Sequence, residues 1–317
     1  MSSTSTTSPT PEPKRTSGTS STSSKGSTTT SEPEPGSVQG SAGDLATRSW
    51  SGTDQAAIFL AHATGFCKEV WDPFVTGVRQ GFDGTIVAWD SRGHGGSDAG
   101  TPPFDWWDFA TDALAVVESI AVGFRVGVGH SMGGAALAMA EILRPGTFAG
   151  LVLIEPIVFR PPFGRFDHLL VDIALKRRPG FESVADARTN FAEKTAFSRW
   201  DDRSLDAYVT GGLIEQDGEW LLRCKPEHEA EVFRGGSDHG AYDRLDEIQT
   251  PVLLVAGEQS DTHDREFMDD LRSKLPEASV TIVPDAGHFL PMERPGVVAD
   301  LVTEFLVSLD VRGSHDL

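Results

Sequence analysis

From residue 44 onward, short runs of apolar and β-branched residues alternate with longer stretches whose apolar positions recur every three or four residues. The runs at 45–50, 56–62, 85–89, 125–128, 151–155, 252–256 and 279–283 predict strands. Between them "VWDPFVTGVRQGF", "FDWWDFATDALAVVESIA", "MGGAALAMAEIL", "DREFMDDLRSKL" and "RPGVVADLVTEFLVSL" carry helical spacing. Strand and helix in alternation predict an α/β fold, a mostly parallel central sheet flanked by helices. One interval departs from this rhythm: residues 157–249 show helical periods and no convincing buried strand. That is too long for a connection, so 157–245 reads as a helical lid inserted after the sixth strand of the complete fold, splitting the core into 44–156 and 246–317. Its segments "HLLVDIALKRR", "SVADARTNFAEK" and "EHEAEVFRGG" suit short amphipathic helices.

Residues 1–43 are of different material: Ser, Thr, Pro and Gly with almost nothing apolar to bury, the composition of a disordered tail. The tail lacks the apolar core of a secretory signal, and no later run reaches the ~18 apolar residues of a membrane span. The expectation is an intracellular, cytoplasmic protein. Lys14, Arg15 and Lys25 balance Glu12, Glu32 and Glu34, so the formal charge of −20 belongs to the folded part and opposes binding to nucleic acid or anionic membranes. Cys67 and Cys224 offer neither metal-ligand spacing nor a disulfide framework.

The chemistry concentrates in a few short stretches. In "VGVGHSMGGAAL" a predicted strand runs into a Gly-x-Ser-x-Gly turn and then a helix, the setting in which Ser131 is thrust clear of the strand's C-terminal end as a nucleophile. A serine hydroxyl needs a base. His288, in "VPDAGHFLPMERP" after the last strand, has the loop position to serve. A carboxylate between them in chain order must orient that histidine. Asp261 in "LLVAGEQSDTH" is the favoured candidate, with Glu155 in "LVLIEP" its competitor and Glu258 a third. Acyl transfer also needs donors aimed at an oxyanion. The Met132 N–H directly follows the nucleophile, and Thr64 or Gly65, in the loop after "AAIFLAHATGF", supplies the second, Thr64 being preferred; His62 anchors that loop.

Together "HATGF", "DSRGHGGSD", "GHSMGG" and "DAGHFLPMERP", in this order, resemble the α/β-hydrolase superfamily over residues 44–310. The resemblance implies a Ser-His-acid triad, an oxyanion loop after the fold's third strand and a helical lid between its sixth and seventh strands. The fold's first strand is not found in the pattern. A serine nucleophile sets the chain apart from epoxide hydrolases and haloalkane dehalogenases, which attack with a carboxylate. The expected function is hydrolysis of a small to medium apolar carboxylic ester through Ser131, His288 and Asp261, with no metal or organic cofactor. Carbon–carbon hydrolysis, perhydrolysis or a low-turnover binding role on the same fold are the alternatives.

Overall fold

A computed structural model of the chain describes residues 1–5 and 32–313, with backbone alone at 310–313. The main sheet has eight strands in the order β1 (Glu34–Gly40), β2 (Gly43–Trp50), β4 (Gly84–Trp89), β3 (Thr53–Ala61), β5 (Phe124–His130), β6 (Gly150–Ile154), β10 (Val252–Gly257) and β11 (Ala278–Val283). A separate small sheet joins β7 (Gly180–Phe181), β9 (Glu219–Leu222) and β8 (Leu213–Gln216). From β4 to β11 the main sheet is parallel, while β1 and β2 pair antiparallel at its edge.

The residue pattern explains the placement. β5, β6 and β10 read "FRVGVGH", "GLVLI" and "VLLVAG" because a parallel strand in mid-sheet is covered on both faces and has no solvated face to fill with polar residues. β2 lies nearer the edge and alternates buried Leu45, Thr47 and Trp50 with more exposed positions. Helices α2 (Trp106–Glu118), α3 (Met132–Leu143) and α8 (Arg265–Lys274) pack one face of the sheet around Phe59, Trp89, Leu151 and Leu254. On the other face α1 (Asp72–Val78), α9 (Leu290–Glu293) and α10 (Pro295–Gly313) cover Ile58, Leu60, Val128 and Val255. Each fully buried side chain of this size contributes roughly 1.5–3 kcal/mol.

Three expectations change. Residues 6–31 of the anticipated disordered tail lie outside the described residues, but Glu34–Gly40 forms β1 and pairs with β2 along its whole length. The strand that the pattern did not reveal is therefore present; Pro35 and two glycines hide it, and its exposed edge position demands no apolar run. Between β6 and β10 the insertion carries α4 (Leu169–Leu175), α5 (Val184–Ala192), α6 (Asp202–Gly212) and α7 (Pro226–Gly235), but also the small sheet. Its β8–β9 hairpin turns through Asp217–Gly218, an Asp-Gly signal readable in "LIEQDGEWLL", with both residues at positive φ (53° and 84°).

Candidate active site

Ser131 stands between β5 and α3 with φ 55° and ψ −116°, a conformation that costs a non-glycine residue about 1–3 kcal/mol and persists only when its surroundings hold it. The surroundings do so. Its N–H donates to the Ile154 carbonyl (2.9 Å) and its carbonyl accepts from the Ile157 N–H (3.2 Å), so the end of β6 and the segment just after it hold the turn on both sides. The flanking glycines are required by close approach: a Cβ on Gly129 would lie 2.6 Å from the Gly133 backbone, and one on Gly133 would lie 2.3 Å from the Ala61 carbonyl.

The segment carrying His288 docks on this corner. His130, next to Ser131, donates from Nε2 to the His288 carbonyl (2.8 Å), and the two rings lie 5.1 Å apart. Glu293 accepts from the Gly287 N–H (2.9 Å), fixing the loop from its other side.

The carboxylate behind His288 is that of Glu155. His288 Nδ1 lies 2.6 Å from Glu155 Oε2. Glu155 is fully buried, sits just after β6 at φ 45°, and also accepts from the Gly257 N–H (2.9 Å) and the Ser260 hydroxyl (2.7 Å). Burial alone would raise its pKa, but the His288 hydrogen bond, the neighbouring imidazoles and the Gly257 amide together hold the carboxyl below its usual range. The structure does not bring Asp261 to His288. Asp261 is exposed and lines a surface cavity beyond Thr262. The physical reason is the course of the loop after β10: Ser260 and Thr262 turn their hydroxyls in to the Glu155 carboxylate, which leaves the intervening side chain facing out. Glu258, too, is exposed.

Across the sheet edge, the loop after β3 is braced by two neutral histidines. His62 donates from Nδ1 to the Ala63 carbonyl (2.7 Å) and accepts from the Ser91 N–H (3.0 Å). His94 accepts from the Gly65 N–H at Nε2 (2.9 Å) and reaches the Arg92 carbonyl through Nδ1 (3.0 Å). Burial lowers the pKa of His62 to about 4 and that of His94 to about 3, so both stay neutral and keep an acceptor nitrogen available. The Gly65 N–H is thus engaged by His94 and the Phe66 N–H by the Ala63 carbonyl (3.2 Å), whereas the Thr64 N–H has no hydrogen-bond partner among the described residues. Met132 opens α3, where the first amides have no partner within the helix. Gly65 (φ 80°) lies against the insertion: a Cβ there would meet Glu229 Oε1 at 2.4 Å.

With the elbow, the histidine and the buried carboxylate described, comparison with known proteins decides the family. The profile of the alpha/beta hydrolase family matches residues 58–301. The chain belongs to that family. Among relatives of this hydrolase, an abhydrolase domain-containing protein from Alternaria alternata is 27% identical over 217 residues, covering 57% of this chain and 82% of that protein. An sn-1-specific diacylglycerol lipase from Mus musculus is 24% identical over 264 residues, covering 79% and 80%. Among solved structures, a peroxisomal alpha-beta-hydrolase from Saccharomyces cerevisiae superposes with a TM-score of 0.75 at 17% identity, covering 89% of both chains. E-2-(acetamidomethylene)succinate hydrolase does so with 0.73 at 22% identity, covering 87% of this chain and 99% of that one. No helix among the described residues is long and apolar enough to cross a membrane.

In this hydrolase an aromatic group of Phe66, Trp200, Tyr208 and Phe289 packs beside His130, joining the loop after β3 to the insertion and to the His288 loop. Trp106 and Trp107 tie α2 to the insertion: their ring N–H groups donate to the Val232 (3.1 Å) and His239 (2.9 Å) carbonyls. Cys67 is buried, and desolvation raises its thiol pKa well above the ordinary value, which makes it a poor nucleophile. Sequence reasoning did not single out His94, His130 or His263. His94 and His130 lie inside "DSRGHGGSD" and "GHSMGG", and His263 two residues beyond Asp261, but their roles depend on contacts with residues distant in the chain. Among the described residues, the donor atoms of Glu155, His263 and His288 lie within 4.8 Å of one another, a set able to hold a metal ion.

Proposed function

We propose that this hydrolase cleaves small to medium, mainly apolar carboxylic esters through Ser131, His288 and Glu155. The observation that carries the reading is the 2.6 Å contact of His288 Nδ1 with the buried, fully hydrogen-bonded Glu155, beside a serine held at a strained elbow. With Nδ1–H committed to Glu155, the lone pair at His288 Nε2 accepts the Ser131 proton as Oγ attacks the ester carbonyl. The oxyanion of the tetrahedral intermediate is received by the Met132 and Thr64 N–H groups. His288 returns the proton to the departing alcohol, then takes one from the water that attacks the acyl-enzyme, releasing the acid and restoring Ser131. Glu155 stays ionised throughout and balances the imidazolium.

The apolar preference is supported by the Phe66, Trp200, Tyr208 and Phe289 group and by the lipases among the relatives, one of which is named for monoglycerides. The segment from residue 157 to 245 acts as the lid that admits such substrates. Intact-mass analysis after exposure to a fluorophosphonate, beside turnover of p-nitrophenyl esters of increasing acyl length, tests the reading. The expected result is one adduct per chain, absent from Ser131→Ala, with kcat lower in that variant by at least ~10³. An adduct that survives in Ser131→Ala, or saturable ester binding without turnover, overturns it.

A further inference from the structure

The acid of the site has an unusual neighbour. His263 is buried, and its Nε2 meets the Pro156 carbonyl at 3.0 Å, which fixes the ring proton there and leaves Nδ1 as a bare acceptor. That lone pair faces Glu155 Oε2 at 3.6 Å, and the His263 ring stacks on His288 with centroids 6.2 Å apart. Thr262 Oγ1 sits over all three groups, 3.0 Å from His263 Nδ1, 3.2 Å from His288 Nδ1 and 3.3 Å from Glu155 Oε2. Its single proton cannot serve both His263 and Glu155, so this corner gathers more lone pairs than protons.

The spacing of these atoms has a chemical meaning. A tetrahedral Zn²⁺ bound at ~2.0–2.1 Å by nitrogen and oxygen ligands separates those ligands by about 3.3 Å. Glu155 Oε2, His263 Nδ1 and Thr262 Oγ1 already stand at 3.0–3.6 Å from one another, the Glu155–His288 edge, at 2.6 Å, must open, and the ligand atoms of Glu155, His263 and His288 all lie within 4.8 Å of one another. The Pro156 carbonyl on the far nitrogen of His263 is the kind of partner that orients a ligating imidazole. Access is at hand: Thr262 lines a surface cavity of 380 Å³ whose rim carries Asp261, Asp264 and Glu266, carboxylates that draw cations toward it.

We propose that Glu155, His263 and His288, with the Thr262 hydroxyl or a water as fourth ligand, form an inhibitory site for divalent transition-metal ions of the zinc type. The ion takes the place of the proton between His288 and Glu155. The proton of the neutral His288 ring then resides on Nε2, which can no longer accept one from Ser131, and Glu155 is withdrawn from its orienting role. Turnover stops with the nucleophile itself untouched.

The test uses the untagged full chain. ZnCl₂ is titrated against ester turnover, and CoCl₂ against the visible spectrum, in the wild type and in His263→Gln and His263→Ala, each referred to its own metal-free rate. The inhibition arm rests on the ester-hydrolase reading, whereas the cobalt spectrum does not, so a chain that turns over no ester still reports on the site. Saturable inhibition by Zn²⁺ is expected, with a midpoint at least tenfold higher in both variants, together with intense bands of four-coordinate Co²⁺ that the variants lack. An unchanged zinc midpoint in His263→Gln, or a wild-type cobalt spectrum no different from that of the aquo ion, overturns the site.

Discussion

The loops after β6 and β10 each offer a carboxylate as a candidate partner for His288, and the fold treats them in opposite ways. Glu155 is removed from water, held at a positive φ and met by a backbone amide, a hydroxyl and an imidazole. Asp261, four residues past the end of β10, faces solvent and makes no hydrogen bond or ion pair among the described residues. The difference teaches that a carboxylate orients a histidine only when it is itself oriented. Fixed donors around the acid, rather than its distance along the chain from a strand end, decide which one takes the role.

The sharpest way to break that comparison is to neutralise each acid. Glu155→Gln is expected to lower kcat by ~10³–10⁴ because an amide can neither fix the productive tautomer nor balance the imidazolium. Steady-state kinetics on an ester panel measure it, and a Glu155→Gln enzyme within tenfold of wild type would return the role to the β10 loop.

A second effect follows from the buried imidazoles beneath the loops on both sides of the site. Burial lowers His62 and His263 to about 4, His94 to about 3, and His130 well below its ordinary value. Between pH 6.5 and about 4 the unfolded chain binds protons at these positions that the folded chain refuses, so stability is full above 6.5 and is lost on acidification through this window. Each such histidine contributes up to ~1.4 kcal/mol per pH unit. Asp72, raised to about 6 by burial against the opposing pull of Arg48, acts with the opposite sign, but it is one partly exposed group against four buried ones. Urea unfolding from pH 7 to pH 5 should show falling stability, with a shallower slope in His263→Gln; a flat profile would contradict the assignment.

Smaller effects sharpen the contrast further. Ser260→Ala removes one hydrogen bond to an ionised carboxylate, worth ~1.5–3 kcal/mol at most, and should lower kcat about tenfold with little change in KM. Asp261→Asn, on the exposed side, should leave kcat within about twofold and stability within ~0.5 kcal/mol, as surface substitutions usually do. Thermal melts and the same ester assay check both.

Much of this molecule was legible before its folding was known, and the reason is local. The strands buried on two faces announce themselves as apolar runs, and the elbow requires Gly129 and Gly133 whatever lies around it, so Ser131 could be read from six residues. His288 was legible from its place between the last strand and the last helices. β1 was not, because an exposed edge strand has no face that must be apolar, and the small sheet of the insertion announced itself only through Asp217–Gly218.

The choice of acid belonged to another level. Glu155 and Asp261 each follow a strand in the same neighbourhood of the sheet, and nothing in either tripeptide says which one Gly257, Ser260 and His288 will surround. Those partners lie about a hundred residues or more from Glu155 along the chain and meet it only when β6 and β10 pair and the final loop docks on His130. The sequence by itself determined the strands buried on both faces and the glycine-flanked turn that sets Ser131 between β5 and α3, since each depends on neighbours in the chain. Tertiary structure alone decided that Glu155 rather than Asp261 meets His288 and that the histidines beneath the loops stay neutral, because burial and hydrogen-bond supply are properties of what packs around a residue.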